Sequence, residues 1–419
     1  SRSVKSAVEN AIRESNRDLD EEQKKFFTYF RNNNAERQAP EIVDGERARF
    51  TFEMEFVGSP QLIAAVAPET AEGHTFEVEV KEWNDPTGET ITVEIKESPS
   101  RDSFPQYDKL FEDGILDIGM HFGGDYNAGR YDIETAEWAV GYLLEGGFEN
   151  PEVEKFEDLT FDSPPFTRTL FIEGRDVEVQ IYISHANMNE GPDDQHRLAD
   201  AVKESFAKRD IVLYSGHAGS NAGFILDYHP RYSMDAGEFA EIEMADKYQI
   251  FVLDGCNTYR TYVDELLANP AKDFSNTDIM TTVNTTPFGR GYMVIHQLMY
   301  WFTITDGAGN HFPISWQDVL RGLNTEDYDD IYYGVHGVDD NSQLNPHASV
   351  GVACTPCQTD SDCSAGGNLC LNYSNGGGCG VACTTDEACG EGYRCARISD
   401  DEDDWYVPKQ CLREDLTCG

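Results

Sequence analysis

Positive charge is scarce in this chain: 32 lysines and arginines face 77 aspartates and glutamates, for a formal net charge of −45. So large a negative balance argues against nucleic acid and anionic membrane surfaces as partners, because both would be repelled. It suits high salt, divalent cations or cationic substrates, with screening confining such fields to ~8 Å at physiological ionic strength. Long hydrophobic runs are missing as well. None approaches the ~20 apolar residues that a membrane-spanning helix requires. The histidines show no His-Glu-x-x-His pair, which argues against a zinc hydrolase. Disorder is argued against by the 11% of residues that are aromatic, since disordered chains combine high charge with low hydrophobicity.

Cysteine is the most telling scarcity. Before Ala353 the chain contains a single one, Cys256. The others crowd into the last stretch as Cys354, Cys357, Cys363, Cys370, Cys379, Cys383, Cys389, Cys395, Cys411 and Cys418. An even set can pair off completely as disulfides in an oxidising compartment. The expectation is therefore a secreted or cell-surface protein whose export leader has been removed. Zinc ligation is the weaker alternative, because only Cys354-x-x-Cys357 has ribbon-like spacing and no second such pair follows. The tail also repeats itself: Cys357-Gln-Thr-Asp360-Ser-Asp-Cys363 recurs as Cys383-Thr-Thr-Asp386-Glu-Ala-Cys389. This reads as a disulfide framework for a segment too short and polar to hold a large core. The sequence leaves the pairing open.

Cys256 is left without a covalent partner, either as a buried small hydrophobe or as a reactive nucleophile. Its surroundings favour the second. Gln249-Ile-Phe-Val-Leu-Asp254-Gly255 is a short apolar run ending at the cysteine, and a helix-like pattern follows from Asn257. The thiol is thus expected where a buried strand turns into a helix, and a helix start would lower its pKa. Upstream, Asp210-Ile-Val-Leu-Tyr-Ser215-Gly216 is a second such run, ending at His217-Ala218-Gly219. One strand–connection–strand length separates the two, so adjacent parallel strands can present both groups at one sheet edge. Ligands bind in the crevice at such carboxyl ends. A histidine is the usual group that takes a thiol proton and later protonates a leaving amine.

Together, Tyr214-Ser215-Gly216-His217-Ala218-Gly219 and Leu253-Asp254-Gly255-Cys256 resemble the caspase–gingipain–legumain cysteine peptidases, which include clostripain and the metacaspases. The resemblance covers roughly Ile115 to Phe302. It implies a caspase-like, mostly parallel sheet flanked by helices, with Cys256 as nucleophile and His217 as general acid/base. It also implies an oxyanion hole of backbone N–H groups, here from Ala218 or Gly219, where many members carry Gly directly after the His. In several of these families the residue two before the nucleophile lines the specificity pocket. That residue is Asp254, which would prefer Arg or Lys before the cut, a carboxylate holding Arg bidentately. The plainer reading makes Asp254 a helix cap.

Strands alternating with helices imply an α/β domain. The expected organisation is a helical segment over residues 1–40, a small β-sandwich-like accessory module over 41–98, the α/β domain over 99–350 and the cysteine-rich tail over 351–419. In the β module Phe50, Phe52, Met54 and Phe56, then Phe76, Val78 and Val80, then Ile91, Val93 and Ile95 alternate with polar residues, with a turn at Asn84–Gly88. Ser98 to Pro105 reads as a linker. His121 and Asp125 end the first strand of the α/β domain and are candidates for the same cleft, or else a surface His and a turn Asp. Asp400–Asp404 reads as a solvated loop, with calcium binding as the alternative; no cofactor is otherwise required. Two functions follow. One is a secreted cysteine endopeptidase acting on proteins or peptides; the other is a non-catalytic exported or cell-surface binding or scaffold protein on a degenerate peptidase fold.

Overall fold

The computed structural model describes residues 101–188, 195–219, 223–324, 333–348, 351–399 and 407–418. Of the first hundred it describes 2–17, 28–30, 36–37, 41–43, 48–49, 51–53, 55–58, 64, 67, 69–70, 73–82 and 85–96. The chain forms two compact units, Ser1–Ser100 and Arg101–Gly419.

In the first unit, helix α1 (Arg2–Arg17) buries Val8 and Ile12 of its apolar stripe and packs against strand β1 (Gly73–Glu82). Of the helical expectation for residues 1–40, helix α1 accounts for Arg2–Arg17. Thr28–Phe30 and Glu36–Arg37 are strands, and Thr28-Tyr29-Phe30 consists of the β-branched and aromatic types that suit a pleated surface. Strand β1 pairs antiparallel with β2 (Asp85–Ile95), setting Phe76 opposite Val93 and Val78 opposite Ile91. The reversal is tighter than the expected Asn84–Gly88 turn, because Glu82 already faces Asp85. Phe50 and Met54 lie outside the described residues.

The second unit is built on β3 (Ile115–Phe122), α2 (Tyr131–Glu145), β4 (Phe166–Ile172), β5 (Arg175–His185), α3 (Gln195–Lys208) and β6 (Ile211–Ser215). A small hairpin follows, β7 (Gly223–Tyr228) and β8 (Arg231–Met234). Then come β9 (Gln249–Asp254), α4 (Tyr262–Leu267), β10 (Thr277–Thr282), α5 (Arg290–Thr303), α6 (Trp316–Leu323) and β11 (Tyr333–His336). Seven strands form one sheet in the order β4-β5-β3-β6-β9-β10-β11. The five inner strands are parallel, and β4 and β11 close the edges antiparallel.

Both faces of the sheet are covered, which explains why the central strands read as continuous apolar runs rather than alternating ones. Ile211 and Leu213 of β6, with Ile250 and Val252 of β9, join the core under α2, α5 and α6. Their neighbours Val212, Tyr214, Phe251 and Leu253 point the other way, into the core with Val202 and Phe206 of α3 and Leu266 of α4. The chain is therefore a mixed α/β protein with a mostly parallel central sheet. The expected linker is a packed strap where it is described. Ser103 and Phe104 are buried, the Ser103 carbonyl accepts from Trp316 N at 2.9 Å, and Phe104 N donates to Ser342 O at 2.9 Å.

The tail belongs to this same unit. Its bridges are Cys354–Cys418, Cys357–Cys370, Cys363–Cys379, Cys383–Cys395 and Cys389–Cys411. Both copies of the repeat thus join first to third and second to fourth cysteine. The repeated aspartate has the same task in each: Asp360 accepts from Cys370 N and Asp386 from Cys395 N, both at 2.7 Å. Each carboxylate satisfies a backbone donor at the point where the chain returns to its disulfide partner. Sulfur triplets such as Cys357, Cys363 and Cys379 lie close enough for a metal, but all are consumed in disulfides.

Candidate active site

The chain order reverses beside β3: it runs outward to β5 and then returns across β3 to β6. Such a switch point opens a crevice at the carboxyl ends of the strands. Segments following β3, β6, β9 and β10 meet there.

After β6, Gly216 adopts φ +155, and an added Cβ would lie 3.2 Å from the Gly123 nitrogen. Its own N–H donates to Asp254 O at 3.1 Å, carrying the ladder one step past the strand. His217 comes next. Its carbonyl accepts from Ile225 N at 2.9 Å and lies 2.8 Å from the Tyr214 hydroxyl, and Ala218–Gly219 pair antiparallel with Gly223–Phe224. Bonds on both sides therefore fix the backbone that carries the imidazole.

After β9, a Cβ on Gly255 would sit 2.8 Å from both Ala218 Cβ and Gly216 O. Only glycine allows the His217 loop and the Cys256 loop to touch in this way. Cys256 is unpaired and half-buried. Its Sγ accepts from Thr286 N at 3.4 Å, which brings in the loop after β10. The sequence placed this thiol at a helix start that lowers its pKa, and the structure corrects both points. Asn257 is left-handed at φ 55, a 3₁₀ turn covers Thr258–Arg260, and α4 begins only at Tyr262. Burial pushes the Cys256 thiol up from its ordinary value; the Thr286 N–H offsets part of this, and the carboxylates of Asp254 and Asp132 add to it. Burial also lowers His217, opposed by the charge of Asp125. At neutral pH the pair is thus a neutral thiol and a neutral imidazole, a proton donor and an acceptor. Among the described residues no hydrogen bond joins them, and His217 Nε2 is buried without a partner. The Cys256 N–H likewise meets no acceptor among the described residues.

Asp254 lies in the floor of the site rather than at its mouth. It is buried, Oδ1 accepts from the Tyr333 hydroxyl at 2.8 Å and Oδ2 from Ser215 Oγ at 2.9 Å. Burial raises its pKa, with Arg290 among the groups opposing. Neither the cap nor a free pocket acid describes this position: two hydroxyls occupy its oxygens. Asp125 is buried too, and its carboxylate accepts from Asn127 N at 2.5 Å and Asp132 N at 3.1 Å. It therefore secures the entry to α2 while its charge reaches His217. His121 faces elsewhere. Its Nδ1 lies 2.7 Å from Ser184 Oγ, and burial pushes its pKa down to about 3. Among the described residues its hydrogen bond goes to none of the other expected site residues. Asp400–Asp404 lie outside the described residues.

Comparison with known proteins adds little to this geometry. No family model matches the chain, and no curated protein matches it. A solved structure described as "Structure of Protease" is similar at a TM-score of 0.33 and 8% sequence identity, covering 74% of this chain and 64% of its own length. A likeness of that size carries no functional argument.

Several site residues have no signal in the sequence. Asp132, in the first turn of α2, has a buried Oδ2 with no partner among the described residues. Burial, together with the charges of Asp125 and Asp254, pushes it up to about 8, against the opposing charge of Arg130. Thr286 touches the sulfur from the loop after β10. Arg130 holds the loop after β3 in place, with Nη1 2.9 Å from Asp227 and Nη2 2.9 Å from Asn187. Each is an ordinary polar residue in the sequence, and only the fold brings it to this end of the sheet.

Proposed function

We propose that the protein is a secreted cysteine endopeptidase that cleaves after Arg or Lys. The observation that carries this reading is the chain's one unpaired thiol leaving a strand end beside the loop that bears His217, at the switch point of a parallel sheet. In this reaction Cys256 Sγ attacks the carbonyl carbon as its proton passes to His217. The oxyanion is held by backbone N–H groups of Cys256 with Ala218 or Gly219. The C–N bond then breaks, His217 gives the proton to the leaving amine, and water hydrolyses the thioester to restore the thiol. A raised thiol and a lowered imidazole fit this order, since proton transfer accompanies attack instead of preceding it.

The preference for a basic residue rests on two carboxyls. Asp254 was the acid expected from sequence, yet its oxygens are engaged by Ser215 and Tyr333. Asp132 keeps an oxygen unpartnered among the described residues, and a guanidinium or ammonium beside it would favour its ionised form. The five disulfides support export, because such a framework persists in oxidising compartments.

A second reading, a non-catalytic binding or scaffold protein, draws on the missing His217–Cys256 hydrogen bond. One experiment separates the two. Fluorogenic Arg and Lys peptides should be hydrolysed, Cys256→Ala should lower kcat by at least about a thousandfold, and Asp132→Asn should raise KM for basic peptides. Stoichiometric alkylation of Cys256 without hydrolysis of any peptide in a broad library would leave the scaffold reading standing.

A further inference from the structure

Three of the nine exposed large hydrophobic residues among those described gather around one imidazole. Tyr126 is 57% exposed, Phe288 43% and Tyr131 42%. Tyr126 and Phe288 have ring centroids 5.3 and 5.5 Å from that of His217, and Tyr131 lies tilted against Phe288 at 5.0 Å. Tyr228 closes the ring of contacts, 5.3 Å from His217 and 5.5 Å from Tyr126. These side chains come from four segments: the loop after β3, the start of α2, the end of β7 and the loop after β10. Local sequence did not place them together.

Leaving three aromatic faces in water forgoes the stabilisation that burial would bring, at ~25 cal/mol for each Å². Many rings of the same size in this unit are buried, as in Phe206, Phe224 and Tyr262, while Phe171, Phe274 and Tyr300 are exposed as well. Contiguous exposed apolar surface of this kind marks a binding site. Its position identifies the occupant. In thiol-mediated acyl transfer the acyl carbon is bound to sulfur, and the imidazole must reach the nitrogen of the departing amine. Groups that pack on the imidazole therefore border the leaving side of the scissile bond. The loop that supplies Phe288 also supplies Thr286 N to Cys256 Sγ, so the collar continues into the thiol site.

We infer that Tyr126, Tyr131, Phe288 and Tyr228 form a subsite for a large apolar or aromatic side chain on the residue immediately following the scissile bond. This inference rests on the peptidase reading. A ring entering the collar would meet edges and faces in the offset or edge-on arrangements that aromatic groups prefer. The site would favour aromatic and long aliphatic residues over glycine at that position.

The test uses the full chain and quenched peptides with Arg before the cut and Phe, Leu, Lys or Gly after it. With Phe, kcat/KM should exceed that with Gly by about tenfold or more, as expected for a well-filled apolar pocket. Phe288→Ala and Tyr126→Ala should bring the two within about twofold, and Phe288→Leu should restore part of the difference. The methyl ester of the same acyl segment has no residue after the cut, so its rate reads any disturbance of His217 alone, and each Phe-to-Gly comparison is taken relative to it. A Phe preference that survives the double variant, or Gly or Lys serving as well as Phe, overturns the inference. Anisotropy of the same peptides on Cys256→Ala protein separates the two proposals. Should wild type hydrolyse nothing, tighter binding of the Phe peptide that is lost in Phe288→Ala retains the subsite while ending the peptidase reading. Equal binding of Phe and Gly peptides, or none, ends the subsite as well.

Discussion

The sheet and the tail of the second unit hold themselves together by opposite means. Under α2, α5 and α6 the sheet buries large apolar side chains, among them Trp301, Trp316, Phe122 and Phe166. The tail's own cluster consists mainly of Cys363, Cys379, Cys383 and Cys411 with Val352 and Val381, and polar side chains share its interior. Gln410 is fully buried, and its amide donates to Gly367 O at 2.8 Å. Where apolar surface is plentiful, the hydrophobic effect suffices and a thiol can be left free. A short polar segment instead needs covalent closure of the unfolded chain. The two meet through polar contacts: Thr384 Oγ1 donates to Asp102 O at 2.8 Å, and Arg397 pairs with Asp318 at 3.0 Å. The difference explains how one protein holds ten cysteines in disulfides and one that stays unpaired.

The sheet region should break most readily at a single carboxyl. Asp278 is buried, and its Oδ2 accepts from the Tyr248 hydroxyl at 2.6 Å, from Trp316 Nε1 at 2.8 Å and from Asn341. Asp278→Ala strands three buried donors and should cost about 4 kcal/mol in urea unfolding, at 1–3 kcal/mol for each unmet group. Burial also pushes this acid up to about 6. Between pH 4 and 6 the unfolded chain has already released the proton that the folded chain still holds. Stability should therefore decline as pH rises through that window and level off above it. Asp278→Asn should flatten the decline; an unchanged profile would mean the carboxyl is already ionised in the fold.

For the tail the matching change is Cys363→Ala with Cys379→Ala, which opens a loop of 16 residues. The expected loss is about 3 kcal/mol, seen as faster hydrogen exchange in the tail while β6 and β9 keep their protection. Uniform loosening of both regions would show that they do not hold independently. The smallest effect sharpens the contrast at the free thiol. Native Cys256 should react with iodoacetamide more slowly at pH 8 than the same cysteine in unfolded, unreduced protein, because burial raises its pKa and the thiolate is the nucleophile. The unfolded, unreduced protein should show one reactive thiol; two or more would overturn the pairing.

Much of the sheet is legible in the residues themselves. Ile211–Ser215 and Gln249–Asp254 are apolar on both faces, too short for helices, and each stops at a glycine. Those features mark them as inner parallel strands and put His217 and Cys256 at their ends. The hairpin of β4 and β5 and the repeat of the tail are legible for the same reason, since a short local pattern specifies them. Residues 102–105 misled because their polar and proline content resembles a linker, while they are buried and bonded to Trp316 and Ser342. The thiol's environment misled as well. A helix-like pattern after Cys256 says nothing of the 3₁₀ turn that intervenes, nor of the burial that outweighs any benefit from a helix end.

What the order of amino acids settled unaided is where strands stop, which thiol stays single and how acidic the surface is, because periodicity, parity and charge are properties of neighbours along a chain. Three-dimensional packing alone decided that Ser215 and Tyr333 occupy Asp254, that Asp132 retains an unpartnered oxygen and that three rings pack on His217. Those groups come from segments far apart in the chain, and solvation, which sets both proton affinity and exposed apolar area, depends on who is near in space.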